Sequence, residues 1–197
     1  MRSKTTGLLL LLSLLTVGCS RKTEPPPVLG QLPEFSLVDQ NKQAFDRQVL
    51  EGDFWVADFI FTHCRSTCPR LTAHMQGLQT RLSDIPNAQF LSVSVDPRND
   101  TPEVLKAYMT KNELSEANWR FVTGEEQAVR DVVLNGFKVG LAEGDDQPGT
   151  EEIMHANHFV LVDEKAQVRG YYRANNDGIA DLERDLRFLA SNVSVVR

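Results

Sequence analysis

Two cysteines with three residues between them, Cys64 and Cys68, followed at once by Pro69, are the residues best suited to chemistry in this chain. Positions i and i+4 share one face of a helix. A helix N-terminus favours negative charge, so the first of the pair is biased toward thiolate. A thiolate is both the nucleophile of disulfide exchange and a ligand for soft metals. An inert bridge is a weaker reading, because a disulfide across one helical turn closes almost no loop and stabilises little. Asp58 lies six positions before Cys64 in an otherwise apolar run. A buried carboxyl is costly to ionise without a partner, so it takes a raised pKa, a role, or a strand-end position that reaches water.

The elements that must hold these groups follow from periodicity. Phe54–Phe61 is apolar enough for a central strand and ends just before the pair. Arg70–Leu82 is helical, with Leu71, Met75, Leu78 and Leu82 on one stripe that extends back to Cys68 and Cys64. Residues 31–45 read as two short strands about Asp39–Gln40–Asn41, and Gln89–Val95 and Trp119–Val122 as further strands. Thr101 and Pro102 fit the N-cap and first position of a helix. Thr123 with Glu126 fits a capping box ahead of Val129, Val132, Val133 and Phe137. After a Gly/Asp/Pro-rich loop at Leu141–Thr150, Asn157–Val162 and Val168–Arg173 form a hairpin, and Ile179–Leu189 a last helix. The pattern is one α/β domain: a central mixed sheet flanked by helices, with an N-terminal β-hairpin. Trp55, Trp119 and the phenylalanines are core.

The first 18 residues carry Arg2 and Lys4, then a Leu-rich run to Val17, and precede Cys19. This is a secretory signal in plan, too short for a permanent span. Gly18–Cys19 resembles a bacterial lipobox, although Thr16 stands at −3 where Leu is usual. Residues 1–18 are therefore expected to be a lipoprotein signal peptide. Residues 19–30, with Pro25–Pro26–Pro27, are expected to be a tether lipidated at Cys19, and 31–197 the folded domain. Lipidation of Cys19 leaves Cys64 and Cys68 as the pair. Without the first 18 residues the chain keeps 19 basic against 27 acidic residues, a net −8. No basic run remains, which makes the chain a poor candidate for binding nucleic acid.

Four segments in order carry a resemblance: Phe59–Cys64 (FIFTHC) with Cys68–Pro69, Ser92–Leu105 (SVSVDPRNDTPEVL), Trp119–Gly124 (WRFVTG) and His155–Asp163 (HANHFVLVD). The chain resembles the Sco/SenC family of copper-binding, thioredoxin-like proteins over about residues 31–190. The resemblance implies a thioredoxin-like fold and a copper site of Cys64, Cys68 and His155. In the family's pattern the ligand lies eight residues before the Asp of L-V-D, with Phe at +4, and here these are Asp163 and Phe159. By strand alternation His158 faces away from His155. His63 and His74 read as tuning and structural residues, and Asp96 and Arg98 are site-adjacent by position in the resemblance alone. Two thiolates favour Cu(I), and an imidazole lets the site also hold Cu(II). Zinc would normally close with four ligands, and no fourth is evident. Thioredoxins look similar around Asp58, where an acid helps move the proton of the resolving cysteine.

These readings imply an extracytoplasmic copper metallochaperone rather than an enzyme. It would be lipid-anchored to a bacterial membrane, on the periplasmic side if the cell is Gram-negative. It would serve a copper-accepting or thiol-bearing respiratory oxidase subunit. The alternatives are a thiol–disulfide reductase, with Cys64 attacking and Cys68 resolving, and a copper or redox sensor.

Overall fold

The computed structural model describes residues 24–140 and 157–193. Cys19, the Leu141–Thr150 loop, Met154 and His155 lie outside the described residues.

Strand β4 (Phe54–Ile60) is buried at every position, as a strand covered on both faces must be. It pairs in parallel with β5 (Ala88–Ser94), which pairs in parallel with β6 (Trp119–Thr123). On its other side β4 pairs antiparallel with β7 (His158–Val162), which turns back into β8 (Gln167–Arg173). The hairpin of β2 (Ser36–Asp39) and β3 (Ala44–Asp46) extends the sheet beyond β6. At the other edge β1 (Gly30–Gln31) pairs with β8. Among the described residues the order is β1-β8-β7-β4-β5-β6-β2-β3 in one mixed, eight-stranded sheet. With helices on both faces, this is the thioredoxin-like α/β architecture expected.

The end of the Pro-rich segment runs along the sheet edge. Pro26 is buried and its carbonyl accepts from the Arg169 guanidinium, and the Leu29 N–H donates to the Val168 carbonyl at 2.8 Å. The two hairpins use one turn chemistry. Asp39 accepts from the N–H groups of Asn41 and Gln43, and Asp163 from those of Lys165 and Gln167. Lys42 and Ala166, the third residue after each Asp, are left-handed (φ 62° and 56°). This is a type I turn closed by a left-handed residue, with an Asp satisfying the turn donors.

Side-chain alternation sorts the core into two layers. Val56 and Ile60 of β4 and Phe159 and Leu161 of β7 pack with Cys68, Leu71, Met75 and Leu78 of α2 (Cys68–Arg81). Leu105 and Met109 of α3 (Pro102–Lys111) join this layer, as do Ile179, Leu182, Leu186 and Leu189. The last four belong to the long C-terminal helix, Asn176–Val193. Trp55, Ala57 and Phe59 face the other layer, with Leu50 of α1 (Arg47–Leu50) and Val129 of α4 (Glu126–Asp131). Helix α4 continues into a π-helical turn, Val132–Gly136, and C-terminal helix Asn176–Val193 is α5.

Thr101 caps α3 as expected, accepting from the Val104 N–H at 3.4 Å. The capping box at Thr123 is corrected. The N-cap of α4 is Glu125, whose carboxyl accepts from the Ala128 N–H, while Thr123 is the buried last residue of β6, paired with Val38. Sheet pairing outcompetes a local cap at that position.

Candidate functional site

Strand β4 delivers the chain to the Cys64 turn and α2 receives it at Cys68. Helix α2 has no side-chain cap: Thr67 precedes it in helical conformation and makes no capping bond. Pro69 removes one of the donors that a first turn leaves unpaired. The Cys68 N–H instead points at the sulfur of Cys64, 3.5 Å away. The hydroxyls of Ser66 and Thr67 lie 3.7 and 3.9 Å from the same sulfur. Cys64 thus sits in front of the helix rather than in its first turn, and takes the place of the missing cap.

Both cysteines are free thiols, Cys64 partly exposed and Cys68 buried. Burial works against a Cys64 thiolate, but hydrogen bonds from the Cys68 thiol, the Cys68 N–H and Ser66 outweigh it and pull Cys64 down to about 6. Burial pushes Cys68 up to about 12, helped by its hydrogen bond to Cys64 and by the charges of Cys64 and Asp58. At neutral pH the outer sulfur is a thiolate and the inner one keeps its proton. That is the division of labour between an attacking and a resolving cysteine. It also presents one ready soft donor with a second beside it.

Asp58 occupies the middle of β4 and is 0% exposed. It falls on the strand face of Val56 and Ile60, toward Cys68. Among the described residues neither carboxyl oxygen has a hydrogen-bond partner. Ser92, its neighbour in the parallel register, makes no bond to it in hydrogen-bonding geometry, and the Ser92 hydroxyl oxygen accepts from the Trp119 indole N–H at 3.0 Å. Burial therefore raises Asp58 to about 7, and the nearby Ser92 hydroxyl and the backbone offset only part of it. The expectation of a strand-end position reaching water fails, and the buried acid is real.

His63 is exposed, its ring against Phe61 at 4.7 Å and its Nδ1 3.5 Å from an Asp96 carboxyl oxygen. Such an exposed pair is worth little. Arg98 is held bidentately by Glu126 at 2.7 and 2.8 Å. His74 lines a groove between α2 and α5 with Arg81 and Glu183. His158 opens β7 opposite Arg173, and by alternation stands with Val160 and Val162, the layer without Cys68. Among the described residues no group of three His, Cys, Asp or Glu side chains is placed to hold a metal, and His155 is not one of them.

Two polar groups near the pair escaped the sequence reading. The Thr72 hydroxyl, one turn along α2 from Cys68, lies 3.0 Å from the Tyr108 hydroxyl. Asp100, fully buried, bonds to Thr62 at the end of β4. The signal for Asp100 was its place immediately before the Thr101–Pro102 helix start.

The comparisons agree with this geometry. The SCO1/SenC family profile matches residues 25–190. A SCO1 protein homolog of Bacillus subtilis is 33% identical over 182 residues, covering 90% of this chain and 92% of its own. The crystal structure of a SCO1/SenC family lipoprotein from Bacillus anthracis is 32% identical, with a TM-score of 0.72 over 82% of this chain and 95% of that one. BsSco, a member of the Sco family of cytochrome c oxidase assembly proteins in which a disulfide switch was identified, is 30% identical. Its TM-score is 0.74 over 85% of this chain and 98% of its own. With the profile spanning most of the chain and relatives aligned almost end to end, this protein belongs to the SCO1/SenC family.

Proposed function

We propose that this protein is an extracytoplasmic, lipid-anchored copper chaperone that serves assembly of a respiratory oxidase copper centre. Copper is cargo, held by Cys64 and Cys68 with His155 as third ligand. The observation that carries the reading is the reduced pair itself: a partly exposed low-pKa thiol facing a buried thiol, with the Cys68 N–H aimed at the outer sulfur. That donor set suits a soft ion, and it leaves coordination open for a partner's ligand to enter. Further support comes from a Stutzerimonas stutzeri relative, 29% identical over 146 residues, that bears a copper-binding designation. The description of BsSco as a cytochrome c oxidase assembly factor supports the choice of partner. The lipoprotein description of the Bacillus anthracis relative supports an anchor at Cys19.

Copper titration of the protein, reduced and oxidised, tests this. One copper per chain is expected in the reduced form and none in the oxidised form or in Cys64→Ser/Cys68→Ser. His155→Ala should weaken Cu(II) retention, with His158→Ala as its control. Equal metal in the oxidised protein ends the reading.

Asp58 favours a second duty, thiol–disulfide reduction of the partner. The Cys64 thiolate attacks a partner disulfide and forms a mixed disulfide as one partner thiolate leaves. Cys68 passes its proton to Asp58 and attacks the Cys64 sulfur. The second partner thiolate departs and takes up a proton. The partner gains two electrons, and the Cys64–Cys68 disulfide awaits an external thiol reductant. The two duties are compatible, because copper loads only onto reduced thiols.

A further inference from the structure

Between the last residue of β4 and the first of α2 the chain has no regular structure, yet Cys64 must sit squarely before the helix. The helix anchors the far side of this turn: the Arg70 and Leu71 N–H groups donate to the Thr67 carbonyl at 3.1 and 3.0 Å. The near side is anchored from 38 residues away. The Asp100 carboxyl accepts from the Thr62 N–H at 3.0 Å, the Thr62 hydroxyl at 2.5 Å and the Ser94 hydroxyl at 2.6 Å. Its own N–H donates to the Asp96 carbonyl at 2.9 Å. Asp100 is 0% exposed, and among the described residues no Lys or Arg forms an ion pair with it. Its burial is compensated by these donors, so the bonds must be kept. A residue serving only to fasten β5 to α3 would need Ser94 and not both polar atoms of Thr62. From Thr62 the chain reaches Cys64 in two residues, and the Cys64 N–H closes back on the Phe61 carbonyl at 3.2 Å.

We propose that Asp100 is a positioning residue for Cys64: it pins the Thr62 end of the turn so that the Cys64 sulfur stays in front of α2. The inference rests on the reading of Cys64 as the attacking and ligating cysteine. Asparagine fits the same space. Its oxygen can accept from the Thr62 N–H and Ser94, and its amide can donate to a rotated Thr62 hydroxyl, so Asp100→Asn keeps the contacts without the charge. Asp100→Ala loses them.

The test uses the full reduced protein at neutral pH, with two readouts: amide hydrogen exchange, and the rate of Cys64 attack on a small aromatic disulfide. In Asp100→Ala, exchange across residues 62–68 should accelerate about tenfold or more while β4 amides at 56–60 keep wild-type protection. Cys64 attack should slow about tenfold to a hundredfold. Asp100→Asn should restore both to within about threefold. If Asp100→Ala does not fold, Thr62→Val takes its place, with Thr62→Ser as the restoring variant. Wild-type exchange and attack rates in a folded variant overturn the proposal. So does acceleration that reaches 56–60 equally, or a loss in Asp100→Asn as large as in Asp100→Ala. Cys64→Ser reports separately: if it reacts as fast as wild type, the reading of Cys64 fails, whatever Asp100 does.

Discussion

Asp58 and Asp163 are both buried in the same sheet, Asp58 inside β4 and Asp163 just beyond β7, and they are treated in opposite ways. Asp163 follows β7 beside the start of β4, where Val162 pairs with Trp55. One of its oxygens accepts two turn N–H groups at 3.0 and 2.9 Å, and the other accepts from the Arg169 guanidinium at 2.7 Å. Asp58 lies on the cysteine side of the middle of β4 and has no partner on either oxygen among the described residues. The contrast extends to the surroundings. At the hairpin end the N–H groups of Lys165, Ala166 and Gln167 are all bonded to Asp163. At the cysteine end a helix starts with a thiol sulfur in place of a polar cap and two thiols remain free. One end is finished for stability. The other holds unsatisfied groups, which cost folding energy and persist where chemistry uses them.

The largest effect that would break this contrast concerns rate. Asp58→Asn should slow reduction of a protein disulfide by about 10²–10⁴-fold, the usual worth of a positioned acid or base. Copper stoichiometry should not change. Stopped-flow kinetics and metal analysis on the same preparation check it. Unchanged kinetics would make Asp58 as structural as Asp163.

Next in size is Asp163→Ala, which strands a largely buried Arg169 and should cost about 3–5 kcal/mol in urea unfolding. Cys64 reactivity should stay at the wild-type level. A loss of reactivity with stability intact would mean that the two ends are coupled.

The smallest effect is a pH dependence that sharpens the comparison. Asp58 has a native pKa raised to about 7 from its ordinary 3.8. Its stabilising contribution is complete below about pH 4 and is lost as pH rises through 7. Asp58→Asn removes this dependence, so its stability over wild type should grow between pH 4 and 8. Cys64 runs the other way: lowered to about 6 from 9.0, it adds stability that is complete above pH 9 and lost as pH falls through 6. Urea titrations of wild type, Asp58→Asn and Cys64→Ser at pH 5 and 8 separate the two. Equal stability of Asp58→Asn and wild type at pH 8 would mean that the carboxyl finds a partner after all.

Much of this site was legible before any coordinates. The apolar run of β4, the Leu71–Met75–Leu78 stripe of α2 and the cysteine pair between them are local patterns, and local patterns are what periodicity reads. Asp58 was visible as an anomaly within β4, but its isolation was not. Strand alternation says which face a residue takes, and only the packed neighbours say whether a partner is there. Thr123 misled because a capping box and a strand end look alike until the partner strand, 85 residues earlier at Val38, is in place. His158 could be turned away from the pair by counting alone.

The sequence by itself determined the α/β alternation, the strand–turn–helix junction carrying Cys64 and Cys68, and the family, because each is written in residues close together along the chain. The tertiary structure alone decided three things. It left Asp58 without a hydrogen bond beneath the pair, it brought Asp100 across 38 residues to hold Thr62, and it made the Cys64 sulfur the acceptor for the first N–H of α2. Each depends on a distance of a few ångströms between side chains and strand ends that only the parallel pairing of β4 with β5, and the seating of α2 on them, can set.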